Sequence, residues 1–318
     1  MSQTPLPPAA AAEALDVPIV DPGAFCGGEH PFEGEMTQLE RGPRTGRAIG
    51  LRTPTTQVWI YALERPVHAR SALLPDRHVR TVPLSDAPDS LHNGGRLGTG
   101  DVLEFAPGYE NVETLQPGLY LDVQVDPAHG AAQESAATSR VVATLGPTEV
   151  AELRRRAAEI LQRDPAHSSG PASRREGVFL QRAVELVQRP ACARSPARAP
   201  HRRHAIAARA LGRVDGRSDG ASLSVRRLAE ELCVSERTLY RSFSDELGIG
   251  PYDYAVVRRL NTMRRLLLEG PREPGAVTDA AGRAGFTHLG QMGALYRRFF
   301  GETPRETLRR GDLGAQDT

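Results

Sequence analysis

Short runs of β-branched and aromatic residues dominate the chain between residues 45 and 125. The runs Thr56–Tyr61, His78–Val82 and Gly118–Val125 are rich in residues that favour strands. Turn signals such as Asn93-Gly94-Gly95 separate them. Many short strands at this spacing predict a β-sandwich or a small barrel.

Beyond residue 145 the apolar positions recur at helical spacing instead. The segment Gly146–Leu153 opens a helix, with Thr148 as its candidate cap, and Arg175–Gln188 predicts a second helix. Residues 189–200 hold three prolines among small residues, which is typical of a linker. Helical patterns then continue to the end of the chain.

Residues 224–243 have the pattern of a helix-turn-helix unit. Ser224 caps a first helix whose apolar stripe includes Ala229, where only a small residue permits a close helix crossing. Cys233-Val234 makes a tight turn, and Ser235 caps the second helix. The outward face of that helix carries Glu236, Arg237, Thr238, Tyr240 and Arg241. Arginine and hydroxyl groups suit base edges and phosphates, so this face is the predicted DNA-reading surface.

A similar pattern returns over residues 277–300. Ala281 takes the crossing position, Gly285 supplies the positive φ that the turn needs, and Leu289–Phe300 predicts the second helix. The residues of this unit that are predicted to face DNA are Thr287, His288, Gln291, Arg297 and Arg298. Between the units, Pro251–Glu269 predicts one long amphipathic helix, which if rigid sets the reading helices about 34 Å apart for successive major grooves. Paired charges on this helix are expected to be solvated or ion-paired, with at most two reaching phosphate: Arg258, Arg259, Arg264 and Arg265.

The stretch Leu223–Leu308 resembles the DNA-binding domain of the AraC/XylS family of bacterial regulators. The resemblance rests on LAEELCVSERTLYRSF in the first unit, on the connector residues 258–267, and on the closing AGFTHLGQMGALYRRFFGETPRETL. The order Thr287-His288-Leu289-Gly290-Gln291 is similar to the subgroup of ethanolamine-utilisation regulators. The resemblance implies binding to double-stranded DNA and activation through RNA polymerase, with repression left open.

The segment Gly98–Gly108 resembles a strand-turn segment of cupin-like barrels, which regulators of this family often use for sensing. The histidines of the N-terminal part are scattered without metal-ligand spacing, so no metal and no cofactor are predicted. These histidines are His68, His78, His92 and His129. Five aromatic residues form either the barrel core or the lining of a ligand cavity: Trp59, Tyr61, Phe105, Tyr109 and Tyr120. The sequence has no nucleophile elbow, phosphate loop or paired-carboxylate arrangement, which predicts a protein that is not an enzyme.

Composition adds an asymmetry of charge. Residues 200–312 hold 20 arginines against 14 acidic residues, whereas residues 1–199 hold 20 against 24. A basic C-terminal domain suits an anionic partner. The three cysteines, Cys26, Cys192 and Cys233, are far apart and fit a reducing cytoplasm. No apolar run is long enough to span a bilayer, and the Pro- and Ala-rich start does not have the pattern of a secretory signal.

The predicted fold class is α+β, in four segments. These are a flexible tail over 1–40, a β-rich cupin-like effector or dimerisation domain over 41–140, a helical segment and linker over 141–195, and an AraC-type DNA-binding domain with two helix-turn-helix motifs over 200–312. The predicted function is effector-responsive, sequence-specific regulation of transcription by a cytoplasmic homodimer. Two alternatives stay open: a cupin-like enzyme fused to a DNA-binding domain, and a dimeric DNA-binding protein that takes no ligand.

Overall fold

The structure, a computed structural model, describes residues 12–19, 31–43, 45–75, 77–86, 90–125, 138–162, 170–189, 202–215 and 224–314. A β-rich part precedes an all-helical part that holds the helix-turn-helix units, so the predicted α+β class is confirmed at this level. No helix within these ranges is long and apolar enough to cross a membrane.

Two sheets make up the β-rich part. Their strands are β1 (Glu13–Ile19), β2 (Phe32–Gln38), β3 (Gly46–Arg52), β4 (Thr56–Leu63), β5 (Val67–Leu73), β6 (His78–Pro83), β7 (Leu91–His92), β8 (Gly95–Arg96), β9 (Asp101–Glu104), β10 (Glu110–Leu115), β11 (Gly118–Val125), β12 (Arg140–Thr144) and β13 (Gly170–Pro171). Sheet A has the order β12-β9-β6-β11-β4-β3-β1-β13, and sheet B has the order β2-β5-β10-β7-β8. The pairings between these strands are antiparallel.

The two faces of sheet A pack against different layers. Leu121 of β11 lies in a core shared with helices α1 (Pro147–Leu161) and α2 (Arg174–Val187). Its neighbours Tyr120 and Asp122 line a cavity together with residues of sheet B. Because successive side chains of a strand point to opposite faces, one strand serves both layers.

The structure differs from the expected tail over 1–40, because β1 and β2 lie inside that range. Strand β1 pairs with β3 along its whole length, and β2 forms the edge of sheet B beside β5. Pairing with strands that are distant in sequence makes these segments strands, against the Pro- and Glu-rich composition around them. Strand β12 likewise lies at the start of the predicted helical segment. The linker over 189–200 falls outside the described residues except for Arg189, so the domain boundary stays a prediction.

The N-cap of helix α1 lies two residues before the predicted one. Its N-cap is Gly146 rather than Thr148, and Pro147 occupies the first helical position. The Glu149 carboxylate accepts a hydrogen bond from the Gly146 N–H over 2.9 Å, which closes the first turn and lowers the pKa of Glu149.

Seven helices of the described residues form the C-terminal part. They are α3 (Arg202–Asp215), α4 (Val225–Glu231), α5 (Glu236–Leu247), α6 (Pro251–Glu269), α7 (Ala276–Arg283), α8 (Leu289–Phe300) and α9 (Pro304–Gly314). Helix α6 contributes Tyr254 and Ala255 to the core of α3, α4 and α5, and Leu260 and Met263 to the core of α7 and α8. One helix therefore takes part in the cores of both units.

The β-rich part lies directly against α6. Leu39, which follows β2, is buried in the core of α3, α4 and α5. The Asn261 side-chain amide accepts from the Gln38 N–H and donates to the Gln38 carbonyl, each over 3.1 Å. The Gly42 N–H donates to the Phe299 carbonyl over 2.8 Å. Strand β2 and the residues after it thus contact α6 and the end of α8.

Candidate nucleic-acid interface

The first helix-turn-helix unit consists of α4, a tight turn and α5. Ser224 Oγ accepts from the Arg227 N–H at the start of α4, and Ser235 Oγ accepts from the Thr238 N–H at the start of α5. Both serines are therefore the N-caps that the sequence predicts. Between the helices Cys233 has a φ of 55°, the left-handed region that non-glycine residues rarely adopt.

Close packing fixes the angle between the two helices of this unit. Ala229 is 3% exposed, and its carbonyl accepts from the Val234 N–H over 3.0 Å. Leu239 and Phe243 of α5 are fully buried one turn apart in the same core. A larger residue at position 229 would separate the helices, as the sequence pattern indicates.

The second unit repeats this geometry in α7 and α8. Ala281 is fully buried, and its carbonyl accepts from the Phe286 N–H over 2.9 Å. Gly285 occupies the turn with a φ of 84°, which confirms the need for positive φ at that position. Helix α8 spans Leu289–Phe300, with His288 as an N-cap whose side chain makes no capping hydrogen bond.

The two units differ by one residue just after the turn. Ala229 and Ala281 lie 52 residues apart, as do Cys233 and Gly285. The N-caps Ser235 and His288 lie 53 residues apart, and so do the buried pairs Leu239 with Met292 and Phe243 with Tyr296. The turn of the second unit is therefore one residue longer than that of the first, in the segment Phe286–His288.

The structure places the predicted DNA-facing residues on the outside of the two units. In the first unit Thr238 is half-buried, while Arg237, Tyr240 and Arg241 are exposed. In the second unit all the predicted residues are exposed: Thr287, His288, Gln291, Arg297 and Arg298. Contact of these side chains with DNA stays a prediction.

Two arginines lie at the centre of the outward face of α5. Arg237 and Arg241 are one turn apart on the side opposite Leu239, and no carboxylate of the described residues forms an ion pair with either. By contrast, Arg226 and Arg227 of α4 are paired with carboxylates one turn further along that helix. Within the first unit, the arginines of α5 therefore carry positive charge that no carboxylate of the described residues pairs with, whereas those of α4 are paired.

The equivalent centre of α8 carries small residues. The register that aligns the two N-caps matches Arg237 with Gly290 and Arg241 with Ala294. A Cβ added at Gly290 would meet nothing within 4 Å, so this surface is open. Arg298 borders the groove between this helix and the segment after β2, where Glu40 also lies.

The paired arginines of α6 mostly contact protein. Arg258 pairs with Asp215 and Arg265 with Glu35, as expected of charges that are ion-paired. Arg264 is also ion-paired, with Glu302 over 3.2 Å, and it is fully buried over the Phe300 ring, with its carbon Cζ 4.2 Å from the ring centroid. Its guanidinium also donates to the Pro43 carbonyl over 2.7 Å, which joins α6 to the chain after β2.

A cavity of about 60 Å³ lies between the two sheets of the β-rich part. Of the five aromatic residues predicted as core or cavity lining, Tyr61, Phe105 and Tyr120 line it. Trp59 is buried in the adjoining core, and Tyr109 is 53% exposed. Two acidic residues that were not among the predicted site residues also line this cavity, Asp122 and Glu113. A carboxylate at the centre of the apolar run Gly118–Val125 is the signal that could have identified the first.

The remaining candidate ligands are not grouped. In the part of the chain that the structure describes, no three His, Cys, Asp or Glu side chains are arranged to hold a metal ion. His129, Cys26 and Cys192 lie outside the described residues, and Cys233 is exposed.

Known proteins resemble the C-terminal part. The sequence profile of a helix-turn-helix domain matches residues 228–310. The XylDLEGF operon transcriptional activator of Pseudomonas putida is 38% identical over 88 residues, which is 28% of this chain and 27% of that protein. The probable thc operon regulatory protein of Rhodococcus erythropolis is 34% identical over 87 residues, which is 27% of this chain and 26% of that protein.

A solved structure also resembles this part. The crystal structure of a probable AraC family transcriptional regulator from Rhodopseudomonas palustris is 30% identical, with 34% of this chain covering 97% of that one at a TM-score of 0.30. The chain spans about a quarter of the length of the two curated relatives described above.

Two helix pairs, joined by one shared helix and carrying exposed cations, define a protein with a double helix-turn-helix domain. Residues 228–310 of this domain match the helix-turn-helix family, and the chain is similar to the transcriptional activators described above, in agreement with the AraC/XylS resemblance of the sequence.

Proposed function

We propose that this protein is a sequence-specific DNA-binding regulator of transcription that responds to a small effector. The observation that carries the proposal is the outward face of α5, where Arg237 and Arg241 are exposed without a carboxylate partner among the described residues. Guanidinium groups form bidentate hydrogen bonds to guanine edges and to phosphates. A capped helix that presents two such groups one turn apart suits the major groove.

The two units contribute unequally to this binding. The centre of the outward face carries Arg237 and Arg241 in α5, but Gly290 and Ala294 in α8. Small residues allow a helix backbone to approach DNA closely, yet they offer no hydrogen bond to base edges. Helix α5 therefore supplies the base contacts, and α8 supplies mainly phosphate contacts through flanking groups such as Arg297.

The response to an effector follows from the position of β2. Phe32 and Met36 of this strand line the cavity between the sheets, while Gln38 at its end is hydrogen-bonded to Asn261 of α6. An occupant that changes the position of β2 also changes the contact with the helix that joins the two units. In this proposal the β-rich part is the cupin-like sensing domain of a homodimer, and activation proceeds through RNA polymerase, as the family resemblance implies.

Random-oligonucleotide selection with the full chain tests the central claim. We expect one enriched sequence, and we expect Arg237→Ala to weaken binding to it about 5- to 150-fold, the loss of one base contact worth about 1–3 kcal/mol. If the arginine binds phosphate instead, the slope of log affinity against log salt falls by about 1.

Arg226→Ala is the matched control, because Arg226 is an exposed arginine of the same unit that is paired with Glu230. We expect its affinity to stay within about twofold of the unmodified chain, because a surface ion pair is worth little. Equal affinities of the Arg237 and Arg226 variants would show that the outward face of α5 does not read DNA.

A further inference from the structure

The cavity between the sheets is lined mainly by apolar residues, with the hydroxyl residues Ser71 and Thr81 and two carboxyl groups. Its walls include Phe32 and Met36 from sheet B and Tyr61 from sheet A. Asp122 of β11 and Glu113 of β10 bring the carboxyl groups from opposite sheets. No arginine or histidine is among the residues that line this cavity, although the chain has 40 arginines and nine histidines.

The two carboxyl groups differ in their partners. The Glu113 carboxylate lies 3.2 Å from Nδ1 of His92, so a potential cation is in contact with it. Asp122 is 6% exposed, and its contacts are the Thr81 hydroxyl, which donates over 2.5 Å, and the Tyr61 side chain. Among the described residues no cationic side chain pairs with Asp122.

Burial without a cation makes ionisation of Asp122 costly. The pKa of Asp122 is raised to about 7, because burial and the nearby Glu113 charge outweigh the hydrogen bonds from Thr81 and Tyr61, which lower it. Its cross-strand neighbours are Trp59 of β4 and Thr81 of β6, and neither supplies a positive charge. A buried carboxyl group that packing alone does not require is typical of a ligand site.

We propose that this cavity binds a small organic cation, a primary amine with a short apolar body, whose ammonium group pairs with the Asp122 carboxylate. The inference rests on the effector-responsive function proposed above and adds the chemical class of the effector. The ammonium supplies the positive charge that the cavity wall lacks, and Phe32, Met36 and Tyr61 surround the apolar body. An anionic ligand is disfavoured, because it would lie beside two carboxyl groups with no cation lining the cavity.

The volume limits the size of the ligand. A cavity of about 60 Å³ has room for only a few water molecules. The ligand therefore has about four to eight non-hydrogen atoms, unless β2 moves outward on binding.

Calorimetric titration of the full chain at pH 8 tests the proposal, with propylamine, isobutylamine and benzylamine as probes. Isobutanol and isobutyrate are matched controls with the same carbon body but no charge or a negative charge. We expect at least one amine to bind at least tenfold more tightly than either control. At pH 6 binding should release close to one proton, seen as a dependence of the heat on buffer ionisation, because the ammonium favours the ionised form of Asp122.

The variant Asp122→Asn separates a ligand role from a packing role. We expect it to lose amine binding at least tenfold, and to unfold at a higher temperature than the unmodified chain at pH 8, where the buried carboxylate is destabilising. The proton release of the unmodified chain remains a test even if this variant fails to fold. Absence of binding by all three amines, equal binding of isobutanol, or unchanged amine affinity in Asp122→Asn would each overturn the proposal.

The DNA-binding proposal and the amine-binding proposal can be refuted separately. If the unmodified chain selects a DNA sequence but binds no amine, the ligand class is wrong and the regulator stands. If it binds an amine at Asp122 but selects no DNA sequence, the site stands and the proposed regulation of DNA binding is wrong.

Discussion

Asn261 of α6 pairs with the open edge of sheet B, and its removal should separate the two parts of the chain. Strand β2 is an edge strand, so the main-chain groups of Gln38 have no neighbouring strand on that side. The Asn261 amide pairs with both groups as another strand would, over 3.1 Å each. Gln38 is fully buried and Asn261 is 5% exposed, so water does not readily replace the amide.

Asn261→Ala leaves one buried N–H and one buried carbonyl without this partner. Each unsatisfied group costs about 1–3 kcal/mol, so we expect the free energy of unfolding to fall by about 2–5 kcal/mol. The control Arg265→Ala removes the ion pair with Glu35 in the same contact region, where the two groups are 3.4 Å apart and partly exposed. That pair is expected to contribute less than about 1 kcal/mol.

Urea unfolding with two probes measures the effect. Fluorescence of Trp59, the single tryptophan, reports on the β-rich part, and far-ultraviolet circular dichroism reports mainly on the helices. We expect coincident transitions in the unmodified chain and in Arg265→Ala, and separate transitions in Asn261→Ala. A stability loss in Asn261→Ala no larger than that in Arg265→Ala would refute the role assigned to this amide.

Two further predictions concern the turn of the first unit and the contact between the parts. Cys233→Gly should raise the free energy of unfolding by about 0.5–1 kcal/mol in urea titrations. Cys233 is exposed at a φ of 55°, and glycine relieves the backbone strain there at an entropic cost smaller than that strain. A lower stability of the variant would show that Cys233 is not strained. Burial lowers the pKa of His68, whose ring packs edge-on against Tyr254, to about 4 from 6.5, so between these values the unfolded chain binds a proton that the folded chain does not. Stability should therefore fall by about 3 kcal/mol as the pH falls from 6.5 to 4, and His68→Gln should remove that component from pH-dependent unfolding curves; an unchanged pH dependence in the variant would show that His68 is protonated in the fold.

The sequence by itself determined the helix-turn-helix units. Caps at Ser224 and Ser235, a small residue at Ala229 and a turn glycine at Gly285 act within a few residues of where they stand. Such local signals can be recognised from the sequence alone, because helical hydrogen bonds join residues four apart. The same locality explains why α8 was placed with its observed bounds.

Only the tertiary structure decided where the distant contacts form. Strand β2 was missed because its partners are β5 and α6 rather than adjacent residues, and the burial of Arg264 against Phe300 was not predicted. Asp122 is a candidate ligand-binding residue only because residues of sheet B form a cavity with it. Gln38 and Asn261 stand 223 residues apart, and no periodicity links them. Side chains separated by this much chain meet through packing of whole layers, which local patterns do not encode.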